Sequence, residues 1–299
     1  MVADDIATGA TLTMRRALVF GASGQIGVPL LDHLDDAGWQ VYAVSRGEYN
    51  DKPGLHWLRG DFSQLDRVPR EVDSIFSLGP LDAFARWYAA SKIDALRVIA
   101  FGSTSIDVKR GSSDAQERDV AARLRQGEQA VLETASARNA GATILRPTLI
   151  YGFARDRTLT RIVDLAKRWN RFVLPRDATG LRQPVHAHDL AAAAFAANAT
   201  DVTHGQVYAV PGGETLPYRE MVARTLATLT PPPQLIELPS PLFNLALFGA
   251  KAAGYATGFG EAAVSRLRSD LVFDAQPAVR DFGYAPRMFQ PTAGMFEPR

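Results

Sequence analysis

Glycine spacing near the start of the chain predicts a binding site for a diphosphate group. Residues 17–27 read ALVFGASGQIG, a short apolar strand followed by Gly21, Gly24 and Gly27. Backbone N–H groups approach a phosphate closely only where side chains are absent, and the start of a following helix adds partial positive charge. Apolar residues then recur at helical spacing, at Ile26, Leu30, Leu31 and Leu34. This strand–turn–helix context predicts a dinucleotide cradle whose helix begins near Gln25.

A cation stands where the next predicted strand ends. The strand at 40–45 closes with Ser45 and is followed by Arg46, about twenty residues beyond the glycine loop, where an acidic residue would hold the ribose hydroxyls of NAD. Arginine binds a ribose 2′-phosphate through a charge-assisted hydrogen bond of about 1.5–3 kcal/mol, whereas a carboxylate repels it. The sequence therefore favours NADP(H). NAD(H) stays the alternative because Glu48 lies two residues further on, and a solvated surface arginine is the structural alternative for Arg46.

Composition excludes several other kinds of site. The 299 residues include 33 Lys and Arg, 32 Asp and Glu, no cysteine and five histidines. Nearly equal numbers of basic and acidic residues argue against the basic stripe of a nucleic-acid-binding surface. The absence of cysteine excludes disulfides, thiolate nucleophiles and iron–sulfur clusters. His186 and His188 precede Asp189, but no second ligand cluster accompanies them. We therefore predict neither a metal nor a nucleic-acid partner.

Strands and helices must alternate to bring these turns together. Strands are predicted near 17–20, 40–45, 55–58, 73–78, 97–102 and 142–146, with helices between them. Such alternation implies an α/β protein with a Rossmann-type, doubly wound parallel sheet, and the change of pattern after Arg146 indicates a smaller C-terminal substrate domain.

Four segments together resemble the extended and atypical short-chain dehydrogenase/reductase family, whose members include NAD-dependent epimerases and dehydratases. They are the Gly-x-x-Gly-x-x-Gly loop, the Arg-Pro-x-x-x-Tyr-Gly junction at 146–152, the strand-to-helix segment at 183–190, and FGYAPR at 282–287. The resemblance extends along nearly the whole chain. It implies an oxidoreductase or epimerase acting on a nucleotide-sugar-like or related carbonyl or hydroxyl substrate.

The resemblance also assigns the remaining cofactor contacts. The turn at Asp61-Phe62 is similar to the one that contacts adenine in the family, and the turn at Leu78-Gly79 closes the nicotinamide side. The full set of predicted cofactor-binding residues is Gly21, Ser23, Gly24, Gln25, Ile26, Gly27, Ser45, Arg46, Asp61, Phe62, Leu78, Gly79, Pro147 and Thr148.

The usual proton-transfer pair of the family is missing. Aligning Glu128 with the glutamate that follows the family's Tyr-x-x-x-Lys motif places Val120 and Leu124 at the tyrosine and lysine positions. Neither side chain can transfer a proton. Tyr88 and Lys92 have the right spacing, but they precede the fifth strand, so we interpret them as part of an ordinary amphipathic helix.

Ser103, Thr104 and Lys109 are the substitutes that the sequence offers for catalysis. Related enzymes hold a substrate hydroxyl with Ser or Thr at this turn, and Lys109 follows within one loop as an acid or an anion anchor. An exposed loop lysine is the alternative for Lys109. Glu117 opens the next helix, where helix capping with Asp114 accounts for it equally well.

Substrate-binding residues are predicted mainly from the resemblance. Arg182 corresponds to the arginine that holds the diphosphate of a nucleotide sugar, and Arg266 or Arg268 would add a second contact, with surface ion pairing as the alternative. Tyr151 and His186 are predicted to line the same cleft.

The predicted organisation has three parts. Residues 1–13 form a flexible extension, residues 14–150 form an NADP(H)-binding domain to which 184–204 return, and residues 151–183 and 205–299 form the substrate domain. The segment at 242–259 is apolar but interrupted, which predicts core packing, with a lid or an interfacial helix as alternatives. No secretory signal begins the sequence, so we expect a cytoplasmic protein without a stable membrane span.

Two functions remain open at this point besides a membrane-associated structural protein. The first is an NADP(H)-dependent enzyme with an unusual proton donor and a small-molecule substrate. The second is a regulatory or complex-associated module that binds NADP(H) without turnover, as Val120 and Leu124 suggest. The family resemblance also allows a homodimer.

Overall fold

A computed structural model describes residues 14–65, 67–156, 158–252 and 261–297 of the chain. The predicted N-terminal extension, residues 1–13, lies outside the described residues.

A seven-stranded, all-parallel sheet forms the centre of the molecule. The strands in chain order are β1 (Arg16–Phe20), β2 (Gln40–Ser45), β3 (Leu55–Arg59), β4 (Glu71–Ser77), β5 (Asp94–Phe101), β6 (Gly141–Pro147), β7 (Ile150–Tyr151), β8 (Arg171–Pro175), β9 (Leu181–Arg182), β10 (Val185–His186), β11 (Gln206–Val210), β12 (Leu216–Pro217) and β13 (Gln234–Leu238). The sheet order is β11-β6-β5-β4-β1-β2-β3. The strand order reverses between β1 and β4, which is where ligands bind in open sheets of this kind.

Helices cover both faces of the sheet, as the alternating pattern predicts. They are α1 (Gly27–Asp36), α2 (Leu81–Ala90), α3 (Ser105–Lys109), α4 (Ala115–Ala137), α5 (Leu159–Trp169), α6 (Ala187–Asn198), α7 (Tyr218–Ala227), α8 (Ser240–Ala252), α9 (Glu261–Arg266) and α10 (Gln276–Phe282). Helices α1 and α6 pack together over one face, and α2 and α4 pack together over the other.

The central strands are apolar without interruption because both of their faces are buried. In β1, Ala17 and Val19 belong to the core on the α1–α6 side, while Leu18 and Phe20 belong to the core on the α2–α4 side. The alternation follows from the two-residue period of a strand. Helix α6 approaches α1 with alanine side chains, which are buried in the core on that side of the sheet.

A third apolar core lies in the C-terminal part of the chain, where α5, α7 and the parallel pair β8–β13 contribute buried side chains. The chain nevertheless returns to the central sheet at β11, which pairs with β6. The predicted boundary at residue 205 therefore places β11 in the wrong part of the molecule. A five-residue strand of mixed polarity, QVYAV, carries no local mark of the sheet that it joins.

Two contacts fasten the C-terminal segment to the central sheet. Asp189 at the start of α6 accepts hydrogen bonds from the backbone N–H of Arg287 at 3.0 Å and from its Nε at 2.8 Å. The Tyr284 hydroxyl donates to the Pro211 carbonyl at 2.7 Å. The FGYAPR motif thus joins the two parts of the chain.

Helix α8 carries the first half of the apolar 242–259 segment. Leu245 and Phe248 are 69% and 71% exposed, whereas Phe243 is buried, so the core packing predicted for this segment holds for one face of α8 only. Residues 253–260 lie outside the described residues. No helix within the described ranges is long and apolar enough to cross a membrane.

Candidate functional site

The glycine loop has the backbone geometry of an anion cradle. Gly21 has a φ of +75°, and its carbonyl accepts a hydrogen bond from the Gly24 N–H at 2.8 Å. A Cβ at Gly27 would lie 2.3 Å from the carbonyl oxygens of Gly21 and Ala22, so no larger residue fits there. Helix α1 begins at Gly27, two residues later than predicted, and the Val28 N–H donates to the Gly24 carbonyl in the loop at 3.1 Å.

Two cavities follow the carboxyl ends of the strands on either side of this loop. The larger, about 590 Å³, extends towards the ends of β2 and β3. The smaller, about 170 Å³, extends towards the ends of β5 and β6. Both are lined by Gly21, Gly24 and Gly79. They form one groove, which we call the cofactor groove, with its outer end at Arg46 and its inner end at Gly102.

Serine hydroxyls shape the outer end of the cofactor groove. The Ser45 hydroxyl lies 2.9 Å from that of Ser23 and accepts a hydrogen bond from the Gly47 N–H at 3.2 Å. Arg46 is exposed and lines the larger cavity. Glu48 forms an ion pair with Arg59 at the end of β3. Glu48, the carboxylate on which the NAD(H) alternative rests, is therefore paired with Arg59 and not with Arg46.

Asp61 and Phe62 form the wall opposite the glycine loop. The Asp61 carboxylate accepts hydrogen bonds from the backbone N–H groups of Ser63 and Gln64, which stabilise the turn. The Phe62 ring stacks on Phe20 at 4.7 Å and would contact any Cβ at Gly79. Hydrogen bonds from Ser63, followed by one from the Gln64 N–H and by the charge of Arg46, lower the pKa of Asp61. Arg46 and Asp61 both line the larger cavity.

The inner end of the groove is apolar apart from one amide. Its lining residues include Gln25, Ile26, Leu78, Phe101, Gly102, Pro147 and Ile150. The Gln25 Oε1 atom is buried and has no hydrogen-bond partner within the described part of the chain, which fits a donor supplied by a bound cofactor. No titratable side chain belongs to this lining among the residues that the structure describes.

The predicted catalytic turn lies next to this inner end. The Thr104 hydroxyl is buried and donates to the Pro147 carbonyl at 3.1 Å. The Ser103 hydroxyl accepts the Ser105 N–H at 3.1 Å and keeps its own proton available for donation. Thr148 donates to the Gln183 carbonyl, which ties the end of β6 to the approach of β10.

Lys109 ends α3 and faces the start of α4. Burial raises the pKa of Glu117, but hydrogen bonds from Arg266 and Ser112 outweigh this effect and lower the pKa. The charge of Lys109 adds to the lowering. The Arg266 guanidinium donates to the Glu117 carboxylate at 2.6 Å. Glu117 therefore joins α4 to α9, and the helix cap is made by Asp114, which accepts the Gln116 N–H.

Helix α4 carries two apolar side chains, Val120 and Leu124, two turns and one turn before Glu128. Val120 and Leu124 are half-buried on the side of α4 that carries the buried Glu128. The Glu128 carboxylate is a bidentate acceptor for Arg146, at 2.8 Å and 2.5 Å. Val120, Leu124 and Glu128 share this face because they are spaced four residues apart along the helix.

Tyr88 and Lys92 lie away from the cofactor groove. Tyr88 is 1% exposed in the core under α2, and Arg138 covers its ring at 4.8 Å. Lys92 is exposed just before β5 begins, at the opposite edge of the sheet from the groove. This placement agrees with their interpretation as parts of an ordinary helix.

The arginines predicted to hold a diphosphate have partners within the protein. Arg182 is 5% exposed, donates to the carbonyls of Leu181 and Ser269 at 2.7 Å and 2.8 Å and to that of Arg266, and covers the Tyr218 ring. Arg268 forms an ion pair with Asp177. Burial lowers the pKa of Arg182. Arg182 is thus enclosed by carbonyl groups, whereas the Arg268–Asp177 pair is partly exposed, at 45% and 41% of the two side chains.

Tyr151 and His186 lie together beneath the junction between β7 and β10. Their rings are 5.0 Å apart, and burial raises the pKa of Tyr151 to about 12. His186 accepts the His188 N–H at Nδ1 at 3.2 Å and caps α6. Burial, followed by the charges of Arg287 and His188, lowers the pKa of His186 to about 4. Both shifts favour the uncharged form of the ring at neutral pH. Within the described ranges no group of acidic or histidine side chains could hold a metal ion.

Comparison with known proteins supports the architecture more strongly than any activity. No family model matches the chain. The 2-alkyl-3-oxoalkanoate reductase of Stenotrophomonas maltophilia is 24% identical, over 91% of this chain and 95% of that protein. The structure of UDP-glucuronic acid 4-epimerase from Bacillus cereus in complex with NAD superimposes with a TM-score of 0.68 at 14% identity, covering 95% of this chain and 97% of that one.

The chain has the extended short-chain dehydrogenase/reductase fold. Within this fold the cofactor groove lies at the carboxyl ends of the strands, where the order of the sheet reverses. A third similar protein is the mitochondrial NADH dehydrogenase [ubiquinone] 1 alpha subcomplex subunit 9 of Arabidopsis thaliana, 28% identical over 76% of this chain. The alignment spans 61% of that subunit's length.

One residue that lines the groove of this short-chain dehydrogenase/reductase fold was missed by sequence reasoning. Arg155, beyond the Tyr-Gly junction, donates to the carbonyl of Ser23 in the glycine loop. It also lines the larger cavity beside Arg46. The two residues in contact are 132 positions apart, and an arginine in a loop has no periodic pattern that reveals its partner.

Proposed function

We propose that the protein is an NADP(H)-dependent oxidoreductase that acts on a carbonyl or hydroxyl carbon. The observation that carries the proposal is the cofactor groove, in which Gly27 admits no side chain and Arg46 faces the ribose end. Two known structures of similar fold, MoeE5 with UDP-glucuronic acid and the UDP-glucuronic acid 4-epimerase of Bacillus cereus, hold NAD, so dinucleotide binding is the part with the broadest support.

Selection of NADP(H) is assigned to Arg46. Its guanidinium is exposed at the end of β2, and the nearby Glu48 is engaged by Arg59. We expect Arg46→Gln to weaken NADPH binding by about 10- to 100-fold and to leave NADH binding within about twofold. Glu48→Gln is the matched control and should change neither affinity by more than about twofold. Equal loss for both dinucleotides in Arg46→Gln would refute this assignment.

The chemistry requires a hydride carrier, which the nicotinamide supplies when bound, and protein groups that orient the substrate. We assign Ser103 as the donor to a substrate oxygen because its proton is not used within the turn. Thr104 positions the turn through Pro147, since its hydroxyl proton is already donated. Lys109 ends α3 and is not among the described lining residues of either cavity; it is the proposed proton donor or anion anchor on the segment after the catalytic turn.

The substrate class follows from the arginine contacts. Arg182, Arg266 and Arg268 all have internal partners, which argues against a nucleotide diphosphate held by them. A reductase of oxo acids aligns over 91% of the chain. We therefore place a carbonyl or hydroxyl compound without a diphosphate ahead of a nucleotide sugar as the substrate.

Transfer of deuteride from C4-labelled NADPH tests the proposal. The protein would be incubated with either C4 stereoisomer and with two panels, one of 3-oxo acids and simple ketones and one of UDP-sugars, and products would be analysed by mass spectrometry. Label in a ketone-derived alcohol supports the proposal as stated. Label in a sugar product, or release of an epimer without label, would overturn the substrate assignment while retaining the cofactor.

A binding module without turnover is the second candidate. It is favoured by Val120 and Leu124 and by the lack of a titratable side chain in the lining of the inner end among the described residues. Similarity to a subunit named as part of NADH dehydrogenase agrees with such a role. NADPH binding together with no label in either panel would favour this candidate.

A further inference from the structure

Arg155 reaches the outer end of the cofactor groove from the segment that follows β7. Its backbone is fixed by Ala154, which has a φ of 52° and donates its N–H to the Met295 carbonyl at 2.7 Å. From this position the guanidinium extends to the Ser23 carbonyl. Ser23 in turn lies 2.9 Å from the Ser45 hydroxyl, the residue before Arg46. The two arginines therefore flank the same pair of serines.

Arg155 makes no ion pair with a carboxylate within the described part of the chain. The adjacent Asp156 accepts hydrogen bonds from the N–H groups of Thr158, Leu159 and Thr160 and so caps α5. The acceptor that Arg155 does have, a carbonyl, is uncharged. An arginine bound only to a carbonyl retains most of its capacity for a phosphate, which binds guanidinium in a bidentate, charge-assisted manner.

The position of Arg155 along the groove identifies the phosphate. It lines the larger cavity of the groove with Ser45, Arg46 and Asp61, at the ribose end. It also borders a neighbouring cavity beside α1, which contains Asp32 and Asp35 and therefore does not suit a phosphate. It does not belong to the described lining of the smaller cavity around Gln25 and Ile26, where α1 begins. A dinucleotide that follows the groove places its 2′-phosphate near the first set and its pyrophosphate at the helix N-terminus.

We propose that Arg155 and Arg46 together hold the ribose 2′-phosphate of NADP(H), so that cofactor binding fastens the segment after β7 to the glycine loop. This inference rests on the proposed NADP(H) function. Because Arg155 follows the junction to the C-terminal part, the 2′-phosphate would link the two parts of the molecule as well as select the cofactor.

Binding of adenosine nucleotides that lack the pyrophosphate tests the inference. The ligands are 2′-phosphoadenosine 5′-phosphate and AMP, measured by calorimetry together with NADPH and NADH. We expect Arg155→Gln to weaken binding of the 2′-phosphorylated ligands by about tenfold or more and to leave AMP and NADH within about twofold. Arg155→Lys should recover part of the loss. The control is Arg125→Gln, an exposed arginine on α4.

The double variant Arg46→Gln/Arg155→Gln provides a second readout. Two residues on one phosphate should be coupled, so the double variant should lose less than the product of the single losses. Equal weakening of NADH and NADPH binding by Arg155→Gln would overturn the inference in favour of a pyrophosphate contact. Unchanged affinity for every nucleotide would also overturn it, because Arg155 would then not contact the cofactor. Failure of the unaltered protein to bind either dinucleotide would refute the proposed function and this inference together.

Discussion

The carboxylate of Glu128 and the guanidinium of Arg146 form a bidentate ion pair beneath Gly102, at the inner end of the cofactor groove. Their side chains are 5% and 23% exposed. A Cβ at Gly102 would lie 2.5 Å from the Glu128 Oε1 atom, so the pair and the turn are in direct contact. Helix α4 and strand β6 are thereby fixed against the turn that carries Ser103 and Thr104.

Removal of one partner from this pair should be costly because the other charge would stay buried. We expect Arg146→Met to lower the free energy of unfolding by about 3–5 kcal/mol, measured by urea denaturation. Arg123→Met is the matched control, since Arg123 and Asp119 form an exposed pair whose loss should cost at most about 1 kcal/mol. Similar losses for both variants would show that the buried pair contributes no more than a surface one.

Substitution of Gly27 tests whether the glycine loop binds a dinucleotide or is only the turn that precedes helix α1. We expect Gly27→Ala to abolish detectable NADPH binding and to destabilise the fold by about 1–3 kcal/mol, because its Cβ would meet two carbonyl oxygens at 2.3 Å. Gly249→Ala in α8 places the same methyl group in open space and should be neutral or slightly stabilising. Retained NADPH affinity in Gly27→Ala, measured by fluorescence titration, would contradict the assignment of the loop.

Lys109 distinguishes an enzyme from a binding module. If the protein turns over, we expect Lys109→Met to lower the rate of hydride transfer by about 10²- to 10⁴-fold while NADPH affinity stays unchanged. Lys92→Met removes an exposed lysine at the other edge of the sheet and serves as the control. An unchanged rate in Lys109→Met would exclude Lys109 from the mechanism and direct attention to Ser103.

Burial of His186 predicts a pH dependence of stability. The pKa of His186 is lowered to about 4, so the unfolded chain binds a proton that the folded chain excludes. The stabilisation is complete above the unfolded pKa of about 6.5 and is lost as the pH falls towards 4. We expect His186→Asn, which keeps a capping acceptor, to reduce the loss of unfolding free energy across this window by about 2–3 kcal/mol.

The control for this measurement is His56→Asn on the edge strand β3, where the histidine side chain is 41% exposed. Urea denaturation at pH 7 and pH 4.5 would be compared for the three proteins. The explanation fails if His186→Asn and the unaltered protein lose equal stability between the two pH values.

Local pattern was sufficient to predict the sheet and the place of the groove. Glycine spacing, apolar runs and helical periodicity are properties of neighbouring residues, and parallel connection places every strand's carboxyl end at one edge. Gly21, Arg46, Asp61 and Gly79 therefore line one groove, as predicted from four separate turns. Strand β11 was misplaced because five residues of mixed polarity do not specify which sheet they join.

The partners of the long charged side chains were decided only by the tertiary structure. From the sequence, Arg182 was predicted to hold a diphosphate, with Arg266 or Arg268 as a second contact. In the structure each of them binds a group brought near by folding. Glu48 forms an ion pair with Arg59, and Arg155 donates a hydrogen bond to the glycine loop, 132 positions away in the sequence. The long, flexible arginine side chain can donate to any of several acceptors within its reach. Which acceptors lie there depends on distant parts of the chain that folding brings close.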